Sequence, residues 1–351
     1  MKSYRQLYPQ IVSWYNLYEA WRKARQGKRG KVPAASFEYA LEENLLTLQA
    51  ELTKKAYQPG NYHSFYIHEP KHRLISAAPF RDRVVHHALC NIIEPIFERS
   101  FIYDSYANRV GKGTHRALAR CQEYSRHFRY VLPCDIRKFF PSIDHAILRQ
   151  QLARKIHDED TLWLIDQILD SGRGVLQEQY EMVWFPGDDL LAASRSRGLP
   201  IGNLTSQFWA NCYLNSFDHF IKRDLKCPAY LRYVDDLLLF ADDKETLHQW
   251  RVAIVDYLAA LRLTIHEGPA QPRPVTEGIP FLGFIIYPTH KRVKRRKVIY
   301  YRHKLRGLLA KYQAGSIDQQ TMQASISGWI NHVRYGDTWG LRSAVLKEVV
   351  L

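Results

Sequence analysis

The sequence predicts an α+β fold: an antiparallel sheet with helices packed around it and further helices at both ends. Three observations lead there. A chain of 351 residues with 46% hydrophobic and 13% aromatic content can bury a substantial core and divides naturally into two or three subdomains. Stretches with helical spacing flank short apolar runs of strand character, without the regular strand–helix alternation of a parallel α/β fold. Two of the short runs end or turn at acids.

Residues 1–60 read as a helical extension: Leu41, Leu45, Leu48 and Leu52 share one face, and the basic, Gly-containing stretch Arg25 to Lys31 interrupts it. From Tyr62 to Ile75 strand-like pieces turn at Glu69-Pro70, and a helix follows from about Arg81 to Phe97. Gly111 and Gly113 precede a helix starting near Thr114, which leads to the apolar strand Tyr130 to Ile136; Pro141 and Ser142 then open another helix. Residues 171–198, rich in Gly, Ser and charge, read as a loop or hairpin excursion. Ser206 to Phe220 reads as a buried helix crowded by Phe208, Trp209, Cys212, Tyr213 and Phe217. The segment Ala229 to Asp243 reads as two strands with a turn at its acids. From Lys291 a basic run leads into helices carrying Trp329, His332, Tyr335 and Trp339. No internal repeat and no low-complexity tract interrupts this order.

Fifty Lys plus Arg against 35 Asp plus Glu give a formal charge of +15, which favours a polyanionic partner, nucleic acid first, through counterion release. The cations cluster at Arg22, Lys23, Arg25, Lys28, Arg29 and Lys31, and again from Lys291 to Arg306, so the excess is not spread as a merely solvated surface. Cys90, Cys121, Cys134, Cys212 and Cys227 follow no zinc or disulfide spacing, which points to a reducing, cytoplasmic setting. The first thirty residues lack the apolar core of a signal peptide, and no stretch reaches the ~20 residues of a membrane span. A soluble protein without a membrane partner is expected.

Tyr233-Val234-Asp235-Asp236 sits between Leu231 and the run Leu237 to Phe240. Adjacent acids between apolar strands are costly to bury unless something neutralises them, although a hairpin tip can also leave them in water. A further acid, Asp135, ends the apolar run Tyr130 to Ile136. Acids converging from neighbouring strand ends can hold two Mg²⁺ ions about 4 Å apart, with Mn²⁺ as a substitute, and so activate a 3′-hydroxyl and neutralise a leaving pyrophosphate. Phosphoryl transfer of this kind needs hard oxygen ligands and little acid–base machinery. Fifteen histidines are present, but none stands at a metal-ligand spacing, and no Ser/His/Asp set is apparent.

These residues carry a family resemblance. Tyr233-Val234-Asp235-Asp236 resembles the signature of reverse transcriptases, Asp135-Ile136-Arg137-Lys138-Phe139-Phe140 their first catalytic motif, and Phe281-Leu282-Gly283-Phe284 their later FLG element. The likeness runs in family order from about residue 65 to 287. It implies a right-hand polymerase: helical extension over 1–60, fingers over 61–130, palm over 131–288 with part of the fingers near 150–200, and a basic helical thumb over 289–351. It implies that Asp135, Asp235, Asp236 and the carbonyl of Ile136 hold the metals. It further implies that Phe140 blocks a ribose 2′-hydroxyl, that Lys71 and Arg73 grip the triphosphate, and that Arg109 tracks template. The thumb cations Lys291, Arg292, Lys294, Arg295, Arg296 and Lys297 would hold the template–product duplex. Phe140 as a core aromatic and Lys71 as a solvated cation are the plainer alternatives.

One departure narrows the family. Most reverse transcriptases carry Gln-Gly-x-x-x-Ser-Pro beside the nucleotide; here the segment is Ile201-Gly202-Asn203-Leu204-Thr205-Ser206-Gln207. An aliphatic first residue and Gln207 in place of Pro resemble the enzymes of diversity-generating retroelements, which copy a template RNA into cDNA with errors at adenines. The absence of an attached endonuclease, maturase or RNase H segment agrees. By that likeness the partners are template RNA, cDNA, dNTPs and a small, basic, oligomeric accessory protein, in a bacterial or phage-encoded system. Losing an amide beside the nucleotide removes a hydrogen bond worth about 1 kcal/mol, roughly fivefold in discrimination, unless Ile201 only packs against the palm. Many relatives place a Lys after the catalytic hairpin to protonate pyrophosphate; Leu261 to Pro269 has none, and neither Arg262 nor His266 is assigned that role. A retron or anti-phage reverse transcriptase, and a catalytically silent RNA-binding protein on the same fold, are the competing readings.

Overall fold

The structure is a computed structural model and describes residues 3–28, 30–68 and 72–347. The chain forms two compact units that interleave along the sequence: Met1–Tyr103, Asp135–Lys226 and Ala253–His266 make one, and Asp104–Cys134, Cys227–Val252 and Glu267–Leu351 the other.

The first unit is mainly helical. Ser13 caps helix Trp14–Ala24 by accepting from the Asn16 amide, and Asn16 bonds the carbonyls of Ile11 and Ala88, locking that helix to helix Phe80–Glu98. Leu17, Leu45, Leu48, Leu52, Val84, Val85 and Leu89 are fully buried here, so the leucine face of helix Leu41–Thr53 is a core face. Strands β1 (His63–Ile67) and β2 (Arg73–Ala77) pair antiparallel, with His63 opposite Ala77 and Ile67 opposite Arg73. The expected helix at Pro141 is split. Residues Phe139–Ser142 make one short turn, and helix His145–Ala153 starts afresh because Asp144, not Ser142, accepts from an amide of its first turn, that of Ile147. Residues 172–198 hold only two short 3₁₀ turns, Gln177–Gln179 and Leu190–Ser194. Helix Leu204–Arg223 is buried through Phe208, Trp209, Tyr213 and Phe217.

Helix Phe80–Glu98 also carries a pH liability. Burial, then the neighbouring His87 and Arg83, pulls the His86 imidazole down to about 3; burial, then Lys28, Lys23 and Arg83, pulls His87 down to about 4. The unfolded chain therefore binds protons below pH ~6.5 that the folded chain refuses, and stability falls as pH drops through that window. At pH 5 the fully buried His86 alone removes about 2 kcal/mol relative to pH 7. Urea unfolding at the two pH values measures this, and His86→Gln should flatten the dependence.

The second unit holds the larger sheets. Strands β3 (Tyr130–Asp135, its last residue counted in the first unit), β4 (Ala229–Tyr233), β5 (Asp236–Ala241) and β6 (Arg273–Pro274) lie in the order β4-β5-β3-β6. Strands β7 (Ile279–Phe281), β8 (Phe284–Ile286) and β9 (Lys291–Val293) form a meander. Between β7 and β8, Leu282 and Gly283 both take positive φ, +46° and +91°, as a two-residue hairpin loop of the right twist requires. Leu118, Cys121, Val131, Leu231, Leu238, Phe240, Phe281 and Phe284 form one core between helix Thr114–His127 and these sheets. Helices Arg295–Gln313, Gln319–Val333 and Trp339–Lys347 follow, closed on Tyr301, Leu305 and Val345. All five cysteines are free and buried.

Candidate active site

Strands β4 and β5 pair in a register that sets Tyr233 opposite Asp236, leaving only Val234 and Asp235 in the loop. Val234 stands at φ +57°. A β-branched residue pays heavily there, where Gly or Asn would be at ease, so the tip holds strain of about 1–3 kcal/mol that its surroundings must maintain. Three contacts in the second unit do so. Arg232, fully buried in β4, donates from Nη1 to the Val234 carbonyl at 3.2 Å. Its backbone is pinned by Asp104 and Tyr106, through Arg232 N to Asp104 O at 2.9 Å and Tyr106 N to Arg232 O at 3.0 Å. The Tyr233 hydroxyl meets Thr114 Oγ1 at 3.0 Å. Asp104 is itself buried and fixed by the hydroxyls of Tyr106 and Tyr124, both 2.8 Å away, and by Arg120 Nε at 3.0 Å. A charge inside the apolar strand Ala229–Tyr233 was the sequence signal for Arg232; that it is buried was not readable.

Asp236 opens β5 in the second unit, and Asp135, the last residue of β3, belongs to the first. All three predicted acids are half-buried. Beyond β3 the chain continues beside residues 264–266 in the first unit: His266 N donates to Asp135 O at 2.9 Å and Arg137 N to Thr264 O at 2.8 Å, with Ile136 facing Ile265 between them. In an antiparallel pair of this kind the intervening residue turns its own carbonyl outward, so Ile136 O points away from Ile265. These are hard oxygen donors suited to Mg²⁺. Among the described residues no three Asp, Glu, His or Cys side chains gather as a ready-made metal site.

The residues expected beside the nucleotide lie in the first unit. Arg73 is exposed in β2, and Lys71 falls outside the described residues. Ser76 N, in the same strand, donates to Ile201 O at 2.8 Å. Gly202 stands at φ +116°, where an added Cβ would come within 2.9 Å of Ile75 Cγ2, so this position demands glycine. Asn203, unmarked in the sequence, proves central: its buried amide donates to Ser76 O at 2.8 Å and Pro200 O at 2.9 Å and accepts from Ala78 N at 3.0 Å. An Asn before a helix signals a cap, yet this one makes no side-chain cap and joins two segments far apart in sequence. Ile201 is half-buried and Gln207 exposed. Phe140, half-buried, follows Phe139 with ring centroids 5.5 Å apart.

In the second unit Arg109 donates to the Ser105 carbonyl at 2.9 Å. The cations of the expected thumb divide. Lys291 Nζ reaches Gln122 Oε1 at 2.6 Å and burial lowers its pKa, whereas Arg292, Arg295 and Arg296 are exposed and Lys294 and Lys297 half-exposed. Burial also lowers His115, which stacks on Tyr335 at 3.4 Å. Arg262, in the first unit, is committed to Asp188 through two 2.7 Å bonds, which takes its guanidinium away from any pyrophosphate role.

Residues 59–286 match the family described as reverse transcriptase (RNA-dependent DNA polymerase). The chain belongs to the reverse transcriptase family. Its mixed helix and sheet architecture is that of a right-hand polymerase, and reverse transcription is the family's activity. Protein YkfC of Escherichia coli K12 is 27% identical over 303 residues, covering 74% of this chain and 75% of that protein. Nuclear intron maturase 2 of Arabidopsis thaliana is 26% identical over 180 residues, and the group II intron-encoded protein LtrA of Lactococcus lactis 27% identical over 183 residues. The shared region is 45% and 51% of this chain but only 24% and 28% of those two relatives. Among solved structures, apo telomerase from Candida tropicalis covers 66% of this chain and 48% of its own at 11% identity and a TM-score of 0.43. Among the described residues no helix is long and apolar enough to cross a membrane.

Proposed function

We propose that this reverse transcriptase is the error-prone, RNA-templated DNA polymerase of a diversity-generating retroelement. The observation that carries the reading is the segment Ile201-Gly202-Asn203-Leu204-Thr205-Ser206-Gln207, in which an aliphatic residue and a Gln replace the family's usual first Gln and Pro. Its main chain is held against β2 by Ser76 and Asn203, and in this reading Ile201 offers a hydrocarbon where an amide would otherwise anchor the nucleotide.

In this reading Asp135, Asp235, Asp236 and the Ile136 carbonyl hold two Mg²⁺ ions, which Mn²⁺ can replace. Ions held by these oxygens would supply Lewis acidity for the primer 3′-hydroxyl and counter-charge for the leaving pyrophosphate. An acid at the last residue of apolar strand β3 and another at the first residue of apolar strand β5 support the assignment. Arg73, with Lys71, binds the triphosphate. Phe140 walls the sugar and excludes a 2′-hydroxyl. Arg109 and the exposed thumb cations Arg292, Arg295 and Arg296 follow the template and duplex phosphates, which fits the net charge of +15. The division into a helical extension to residue 60, fingers to 130, palm to 288 and thumb beyond belongs to the same proposal, as does an oligomeric basic accessory protein as partner.

The test is the error spectrum. cDNA made on the native flanking RNA is expected to carry substitutions concentrated at template adenines, and Ile201→Gln is expected to lower that rate by roughly fivefold, the value of one hydrogen bond. Faithful copying of adenines by the unmodified enzyme overturns the reading. An unchanged adenine error rate in Ile201→Gln removes Ile201 from it.

A further inference from the structure

The excursion over residues 172–198 has no task in the chemistry above, yet it is fastened repeatedly to the residues around Phe140, all inside the first unit. Its final part is stitched by main chain: Leu199 N donates to Phe140 O at 2.9 Å, Gly198 N to Ile143 O at 2.8 Å, and His145 N to Ser196 O at 3.0 Å. The His145 ring adds a 2.7 Å bond from Nε2 to Gly198 O. Side chains extend the seam. Arg195 forks Asp144, with Nε and Nη2 at 2.5 and 2.9 Å, while Asp144 caps the helix that follows the Phe140 turn. Arg262 forks Asp188, lies 5.0 Å over the Phe185 ring and comes within 3.9 Å of Asp144. Glu181 pairs with Arg137 and, at 3.2 Å, with Lys138, the two residues just before Phe139-Phe140.

Two of these cations stand in left-handed backbone, Lys138 at φ +48° and Arg262 at φ +57°. Glycine would be at ease in both places, so the side chains kept there are the ones to explain, and both reach carboxylates of the excursion. An isolated surface ion pair would contribute little. This seam is different, because the side chains of Asp144, Asp188 and Arg262 are only 3%, 8% and 15% exposed and removing one partner leaves a charge stranded.

We propose that residues 181–199 form a specificity clamp that stiffens the Phe140 turn, so that sugar discrimination depends on Glu181, Asp188 and Arg262 although none of them touches the nucleotide. The proposal rests on Phe140 being the sugar wall. A steric wall rejects a hydroxyl only as far as it refuses to yield, and a displacement of about 1 Å is enough to change reactivity by about a hundredfold.

The experiment measures kcat/KM for a dNTP and its matching rNTP with the full chain on a primed RNA template, for Asp188→Asn, Glu181→Gln and the charge-swapped pair Asp188→Arg/Arg262→Asp. Asp188→Asn is expected to lower the dNTP preference about 5- to 20-fold, mainly by raising rNTP use, with dNTP turnover within about twofold of the unmodified enzyme. Glu181→Gln, at a carboxylate 53% exposed and so harmless to folding, is expected to lower it about 2- to 5-fold, and the swapped pair to recover most of the loss. Preference unchanged in Glu181→Gln and in whichever Asp188 variant folds overturns the clamp. Phe140→Ala in the same assay separates the two layers: if it loses the preference while the clamp variants keep it, the wall stands and the clamp falls. If it keeps the preference, both fall.

Discussion

Asp235→Asn and Asp236→Asn are each expected to reduce dNTP incorporation on a primed RNA template by about a thousandfold or more while leaving the unfolding midpoint almost unchanged. The substitution keeps the side chain's shape and removes a hard anionic ligand. A thousandfold corresponds to about 4 kcal/mol of transition-state stabilisation, the scale on which a divalent ion acts. Stability should hold because both acids are half-buried, Asp235 in the two-residue loop and Asp236 beside it at the start of β5, and the loop's conformation is enforced by the Arg232 guanidinium and by the contact of Thr114 with Tyr233. Asp135→Asn should behave alike. Single-turnover primer extension across a Mg²⁺ titration, with a thermal melt of each variant, checks both halves. Unmodified enzyme that incorporates nothing, indistinguishable from its Asp variants, would instead mark a silent nucleic-acid-binding member of the family.

Phe140→Ala is expected to let rNTPs in, with the dNTP preference falling about 10- to 100-fold, since opening a pocket by several carbons changes discrimination on that scale. The opposing expectation is a core role, in which truncation costs about 3–5 kcal/mol and leaves sugar choice intact. Paired measurements of rNTP incorporation and denaturant stability separate them cleanly. The ring's partial exposure argues for the first, because a core Phe cut back to Ala would be sealed on every side.

The acids, the strands that carry them and the buried helix Leu204–Arg223 were legible because each depends on local pattern: an apolar run of strand length, an abrupt polar pair, an aromatic helical face. Gly202 was legible as part of a motif, but its reason, the 2.9 Å approach of Ile75 to an added Cβ, belongs to a strand more than a hundred residues away. The helix expected from Pro141 began at His145 because Asp144 accepts from the Ile147 amide as its cap, whereas Ser142 closes the preceding turn through its amide to Lys138 O. Lys291, one of a row of cations in sequence, is distinguished by Gln122 within reach of its ammonium and by Asp337 on its main chain.

By itself, then, the sequence determined the fold class, the order of the motifs and the kinds of ligand atom on offer, since periodicity and residue chemistry are properties of neighbours along the chain. Only the tertiary structure decided that Arg232 is buried under the hairpin, that Asn203 stitches its segment to β2, and that the excursion over 172–198 is fastened by Arg195 to Asp144 and by Glu181 to Lys138, on either side of Phe140. The physical reason is common to all three. A charged or amide side chain is indifferent to its sequence neighbours and takes its role from whichever distant donor, acceptor or counter-charge folding brings within about 3 Å, and no local pattern encodes that partner.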